Sequence, residues 1–289
     1  LVLPEATAEE NELTQTQSKK ITTQQMRTRQ EKIEALGRVI DVLERLRVDC
    51  PWDRKQTNLS LRSNTIEEVY ELADALLADD TPNIRKELGD VLLHVLFYSK
   101  IGEEKGQFDI VDVCDALNTK LIYRHPHVFG DVEAKDAETV LQNWEALKLK
   151  EKDGNKTALS GVPTSLPAMI KAQRVQEKTA ALGFDWTDRT EVWNKVREEV
   201  SEFAAAAEQK SAEEMEAEMG DVLFSLINVA RHYDINAETA LERTNKKFIS
   251  RFNYIERKAN EHGTPVNTLT LEQMDALWNE AKAEEKAKK

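Results

Sequence analysis

Apolar residues recur along most of the chain at intervals of three and four, which places them on single faces of helices. From Glu31 onward, Ile33, Leu36, Val39, Ile40, Leu43 and Leu46 form the first such stripe. The "CPWD" stretch at 50–53 interrupts it with a proline, and the helical period returns from about Asn64 to Leu77. "ADDTPN" breaks it again, with Asp80 or Thr81 as the N-cap and Pro82 in the first turn of a helix carrying Leu88, Val91, Leu92, Val95 and Leu96. After "GEEKGQFD" a further helix begins near Ile110 with Val113, Cys114, Leu117 and Leu121; "RHPHVFG" ends it. A last helix in this half holds Val140, Trp144, Leu147 and Leu149. Strand-like alternation is almost absent, and the pattern predicts an all-α fold.

The second half repeats the first. "MIKAQRVQEKTAALGFDW" supplies an opening helix and a Trp/Asp turn, "VWNKVREEVSEFAAAAEQ" a first acidic helix, and "SAEEMEAEMGDVLFSLINVARHY" a second, with Ser211 and Glu214 as a capping box. Glu67, Glu68, Glu71, Glu87 and Asp90 map onto Glu198, Glu199, Glu202, Glu218 and Asp221 at one constant offset of 131. The expected organisation is therefore a polar extension over 1–30, a helical-bundle domain over 31–152, a Gly/Pro linker over 153–167 and a duplicate domain over 168–289.

Like charges three and four apart on a helix repel, so "NTIEEVYEL" (64–72) and "KVREEVSEF" (195–203) each carry a cost that needs an explanation. Among 53 acidic residues, one ExxE on a solvated face needs none. A doubled EExxE, fifteen intervening residues and then ExxD argue against chance. If the two acidic helices of each half pack antiparallel, four carboxylates converge and call for a cation. All-oxygen ligands suit a hard divalent ion, and Mg²⁺ fits best where carboxylates share it with substrate phosphates. Gly89 and Gly220 stand directly before the two aspartates, at about 1 kcal/mol each relative to alanine in a helix. Either a ligand approaches the backbone there or two helices pack tightly.

A second constellation follows each acidic pair: Lys120 with Arg124 and then Trp144 with Lys148 in the first half, Lys247 with Arg251 and then Trp278 with Lys282 in the second. Each pair is four residues apart on one helix face. Such cations can hold phosphate oxygens and a Trp face can stack a base, although surface lysines and core tryptophans give the same pattern.

Composition narrows the classes. The net charge of −13 argues against broad nucleic-acid or anionic-membrane binding, and no apolar run approaches a membrane span. Two cysteines, Cys50 and Cys114, are too few for a disulfide scaffold and fit a cytoplasmic protein. His125 and His127 flank Pro126 with no Cys nearby, which favours a turn with hydrogen-bonded imidazoles over a transition-metal site.

From about Ile33 to Lys282 the chain resembles the MazG family of tandem-domain nucleoside triphosphate pyrophosphohydrolases, on the residues "CPWD", "EEVYEL", "ELGDVL", "RHPHVF", "GFDW", "EEVSEF" and "EMGDVL". The resemblance implies hydrolysis of (deoxy)nucleoside triphosphates to monophosphate and pyrophosphate, with Mg²⁺ (Mn²⁺ as a substitute), by helical domains that form a homodimer. It implies Glu68, Glu71, Glu87 and Asp90, and Glu199, Glu202, Glu218 and Asp221, as metal ligands. Glu67 and Glu198 would orient water, Lys247 and Arg251 would contact phosphate, and Trp278 and Lys282 would lie near the nucleotide, with Lys120, Arg124, Trp144 and Lys148 as first-half equivalents. "CPWD" and "GFDW" order Trp and Asp differently, so the two sites need not be equally active. A non-catalytic nucleotide or metal sensor is the alternative. A di-iron bundle would need Glu-x-x-His where this chain has Glu-x-x-Asp.

Overall fold

The computed structural model describes residues 27–133, 136, 139, 140, 147, 157–209 and 211–287. No strand occurs among them, and the all-α expectation holds. Packing divides the chain after Thr119 into two units. The residues 1–26 of the expected extension and 153–156 of the expected linker lie outside the described residues, as do Trp144 and Lys148.

The first unit is built from α1 (Arg29–Asp49), a 3-10 turn (Asp53–Lys55), α2 (Asn58–Ala78), α3 (Thr81–Glu104) and the start of α4 (Ile110–Arg124). Helix α2 begins six residues before the apolar period becomes legible. Thr57 and Ser60 there form a reciprocal cap that satisfies two orphan backbone donors without any apolar residue. Asp79 takes a left-handed conformation (φ 53°) to end α2, and Asp80 rather than Thr81 caps α3. The two acidic helices thus pack against each other across a two-residue link. Thr65 of α2 ties them further through His94 Nδ1 at 2.9 Å and the Tyr98 hydroxyl at 2.5 Å of α3. Burial lowers the His94 pKa, which keeps the ring neutral at this join.

The core of this unit is Leu43, Leu61, Leu96, Phe97 and Ile101, with Ile40, Leu92 and Ile110 packed around it. Arg47, buried beside Phe97, fastens the "CPWD" turn: its guanidinium donates to both carboxylate oxygens of Glu104 and to the Asp53 and Gln56 carbonyls. The Glu104 hydrogen bond is also what raises the Arg47 pKa and lowers that of Glu104. Replacing Glu104 by glutamine leaves the guanidinium short of a counter-charge. Because Glu104 is itself partly exposed, we expect a loss of about 2–3 kcal/mol in denaturant unfolding of this unit, below the range for a fully buried pair.

The second unit contains α5 (Pro126–Phe129), α6 (Ala168–Ala180), α7 (Arg189–Gln209), α8 (Ala212–His232), α9 (Ala237–Glu261), a 3-10 turn (Val266–Thr268) and α10 (Leu271–Ala287). Helix α7 packs on α8, α8 on α6, and α9 on α6 and α10, around Val192, Val196 and Val229. Ser211 accepts the Glu214 amide at 3.3 Å, but the return bond that would complete the expected capping box is not made. After α6 the chain turns at Gly183, whose φ of 86° favours glycine, and the Phe184 amide donates back to Thr179. "GFDW" is then held by Asp185, which accepts from Arg231 at 2.6 Å, as "CPWD" is held by Arg47. His125 Nδ1 bonds the Leu121 carbonyl at 2.6 Å, the turn reading of the "HPH" stretch.

Candidate functional site

Helices α2 and α3 bring Glu68, Glu71 and Glu87 together so that one carboxylate oxygen of each lies within 4.8 Å of the others. Glu87 is 5% exposed; its Oε1 accepts from Lys86 at 2.9 Å and its Oε2 is buried with no partner among the described residues. Lys86 Nζ also stands 3.7 Å from Glu71 and 3.8 Å from Asp90, so Asp90 borders the group through the lysine. Desolvation, then the charges of Asp90, Glu71 and Glu87, raise the Glu68 pKa above its usual value.

Helices α7 and α8 build two interlocking groups, Glu198 with Glu199 and Glu202, and Glu199 with Glu218 and Asp221, on the same 4.8 Å criterion. Glu199, 5% exposed, belongs to both. Its resident cation is Lys195, one turn back on α7, which donates to Glu198 at 2.7 Å and to Glu199 at 2.5 Å. Those two hydrogen bonds hold the Lys195 pKa well above the usual lysine value. Glu202 is pushed up by desolvation and then by the charges of Glu199, Glu218 and Glu198.

Three of the four expected first-half ligands, Glu68, Glu71 and Glu87, thus come together without Asp90, and the four second-half ones are split between two groups that share Glu199; Glu198 joins one of these, while Glu67 joins none among the described residues. The donor set is oxygen only, and Glu87 keeps an orphaned buried oxygen that a cation would satisfy, so the residues fit a hard divalent ion. Among the described residues, no heavy atom outside their own helix backbone and chain neighbours lies within 4 Å of where a Cβ would sit on Gly89 or Gly220, so tight helix packing does not explain them there. Approach by a ligand is the other expectation, and it can be tested. Gly220→Ala should then raise stability by about 1 kcal/mol while lowering kcat/KM for the substrate; equal stability gain with unchanged turnover would remove the ligand reading.

Around the second group lies a cavity of about 540 Å³. Glu199, Glu202, Glu218, Asp221 and Lys195 line one part of it, and Phe184, Trp186, Gln176, Asn228 and Arg231 also line it. The substrate-contact candidates of α9 and α10 do not line it. Arg251 instead donates to Glu285 at 2.7 and 3.0 Å and stacks 5.2 Å from the Trp278 ring centre, with Phe248 against the other residue of that pair, Trp278. Lys247 and Lys282 share the same two helices. Lys120 and Arg124 lie near the end of α4, past the point where packing divides.

Sequence reasoning missed Lys86, Lys195, Gln176, Asn228 and Arg231. Lys195 was detectable, being three and four residues before Glu198 and Glu199 on a helix. Gln176 and Arg231 enter the cavity only through tertiary packing, which no local spacing encodes.

The profile of the MazG nucleotide pyrophosphohydrolase domain matches the chain twice, over residues 56–129 and 189–255. A nucleoside triphosphate pyrophosphohydrolase of Escherichia coli (strain K12) is 40% identical over 257 residues, covering 86% of this chain and 98% of that protein. The nucleoside triphosphate pyrophosphohydrolase/pyrophosphatase MazG of Thermotoga maritima is 40% identical over 247 residues, 84% of this chain and 94% of its own length. The protein YabN of Bacillus subtilis is 48% identical over 239 residues, which make up 82% of this chain and 49% of YabN.

Proposed function

From the premise that the chain belongs to the MazG nucleotide pyrophosphohydrolase family, we propose how it works as a nucleoside triphosphate pyrophosphohydrolase. It splits (deoxy)nucleoside triphosphates into monophosphate and pyrophosphate with Mg²⁺, in tandem domains at 31–152 and 168–289. The observation that carries this reading is the second-half cavity of about 540 Å³, which Glu199, Glu202, Glu218, Asp221 and Lys195 line together with Phe184 and Trp186.

In this reading Glu199, Glu202, Glu218 and Asp221 hold the metal, and Glu68, Glu71, Glu87 and Asp90 form the equivalent first-half set. When bound, Mg²⁺ supplies charge neutralisation for the triphosphate and acidifies water at its edge. Glu198 orients the attacking water and takes its proton; Glu67 is the first-half counterpart. Lys195, kept protonated by its acidic neighbours, stands beside the ligand set where it would donate to phosphate oxygens of a bound triphosphate. The cavity, at about 540 Å³, leaves room for a nucleoside.

Helix α9 presents Leu241, Phe248, Ile249 and Phe252 as an exposed stripe, with Phe248 57% and Ile249 56% accessible. Such a stripe supports a homodimer. A second copy is then the route by which Lys247, Arg251, Trp278 and Lys282 reach substrate. A monomer mass by light scattering at working concentration removes that route.

The function is tested by incubating the full chain with a panel of NTPs and dNTPs and Mg²⁺, assaying pyrophosphate and orthophosphate separately. Equal amounts of monophosphate and pyrophosphate, abolished by chelator, are expected. Tight nucleotide binding with no product would establish the sensor alternative instead.

A further inference from the structure

One side chain in the second-half cavity has no task in the phosphate chemistry. Gln176 of α6 is 5% exposed, its Nε2 donates to the Phe224 carbonyl at 2.8 Å, and its Oε1 is buried without a partner among the described residues. A carbonyl can only accept, so the Phe224 bond fixes which end of the amide is nitrogen, and the unmet atom is an acceptor. Burying an acceptor with no donor is unfavourable, so the position calls for a donor, which a bound molecule in the cavity can supply.

The surroundings say what kind of donor fits. Asn228 of α8 accepts from Arg231 Nε at 3.1 Å and Nη2 at 2.7 Å, and Arg231 is itself held by Asp185 at 2.6 Å. With its Oδ1 engaged, the Nδ2 of Asn228 is its remaining hydrogen-bonding group. Trp186 and Phe184 line the same cavity and offer ring faces. An acceptor and a donor amide held by protein contacts, together with aromatic walls, suit a flat heteroaromatic ring that carries N–H and ring-nitrogen groups on one edge.

We propose that Gln176 reads the nucleobase: its Oε1 accepts an N–H from an exocyclic amino group of the base, and the Asp185–Arg231–Asn228 chain positions a second amide on the same ring edge. This deepens the pyrophosphohydrolase reading of the site and rests on it. The substrates favoured are triphosphates of amino-bearing bases, with the triphosphate toward the carboxylates.

The test compares kcat/KM for ATP and for purine riboside triphosphate, which differs only by a hydrogen in place of the 6-amino group, on the full chain with Mg²⁺. Wild type should favour ATP by on the order of 10–100-fold, the usual effect of leaving one buried group unpaired. In Gln176→Leu and in the unbranched Gln176→Met the ratio should fall toward one. Equal handling of both triphosphates by wild type, or a preference that survives either substitution, overturns the assignment. The wild-type comparison decides it even where a variant does not fold. Failure of the underlying reading looks different: neither triphosphate then yields pyrophosphate.

Discussion

Glu199→Gln should reduce Mg²⁺-dependent pyrophosphate release by on the order of 10³-fold, because several kcal/mol of charge stabilisation at the phosphates goes with the metal and each 1.36 kcal/mol is about tenfold in rate. Glu199 is the choice because it alone belongs to both acidic groups of the second half and is buried, so no neighbour can move into its place. Glutamine keeps the shape and loses the charge. The same change also relieves repulsion on Glu202, for which Glu199 is the largest neighbouring charge. The metal-free variant should therefore melt close to wild type, the relieved repulsion opposing the loss of the Lys195 contact, whose lysine end is partly exposed. Lost turnover with retained stability separates a ligand from a structural acid. Full activity in Glu199→Gln would refute the second site as the catalytic one, and the matching Glu87→Gln would then locate turnover in the first.

The two sites differ in ways the doubled motif hides. In the first half the buried acid is Glu87, from the second acidic helix; in the second half it is Glu199, from the first. The resident lysine changes helix too: Lys86 precedes Glu87 on α3, whereas Lys195 precedes Glu198 on α7. At the offset of 131 their counterparts are Ala217 and Asn64, so each half supplies its counter-charge independently. A shared ligand frame with separately chosen cations is what remains when duplicated sites keep one task and diverge in another.

Period and punctuation made the helices legible. Pro51 and the "DDTPN" break located the turns, and the start near Ile110 coincides with the observed helix. The early start of α2 was missed because Thr57 and Ser60 nucleate it through side-chain oxygens, a signal carrying no hydrophobic period. The convergence of the carboxylates could be inferred, since a short link forces neighbouring helices antiparallel. What covers the apolar stripes could not: Ile33, Leu36 and Leu46 of α1 and Leu88 of α3 lie on the predicted faces yet remain 38–53% exposed. Periodicity says that a face will be covered and is silent on which chain covers it. The cavity wall was equally out of reach, because Gln176 meets Phe224 across 48 positions through packing alone.

Mg²⁺ should stabilise the protein more near pH 8 than near pH 5. Glu68 and Glu202 have pKa values raised above the ordinary 4.5. For a carboxylate raised on folding, the native state binds more protons than the unfolded one between the two values, so its contribution to stability is present below about 4.5 and is lost as pH rises through the native value. The metal-free clusters thus become more of a burden toward neutral pH. A dication requires the ionised form, so its affinity rises over that interval as protons leave. At a metal concentration of about 100 times Kd the gain is about 2.7 kcal/mol, and acidification reduces it as Glu68 and Glu202, with their raised values, take up protons. Glu104 and Asp185 act in the opposite sense, since their lowered values add stability that disappears as pH falls through them. Melting curves with and without Mg²⁺ at each pH cancel those two groups and isolate the clusters. A metal-induced shift in Tm that is the same at pH 5 as at pH 8 would mean the ion binds elsewhere, and so would a shift that survives in the doubly substituted Glu68→Gln, Glu199→Gln chain.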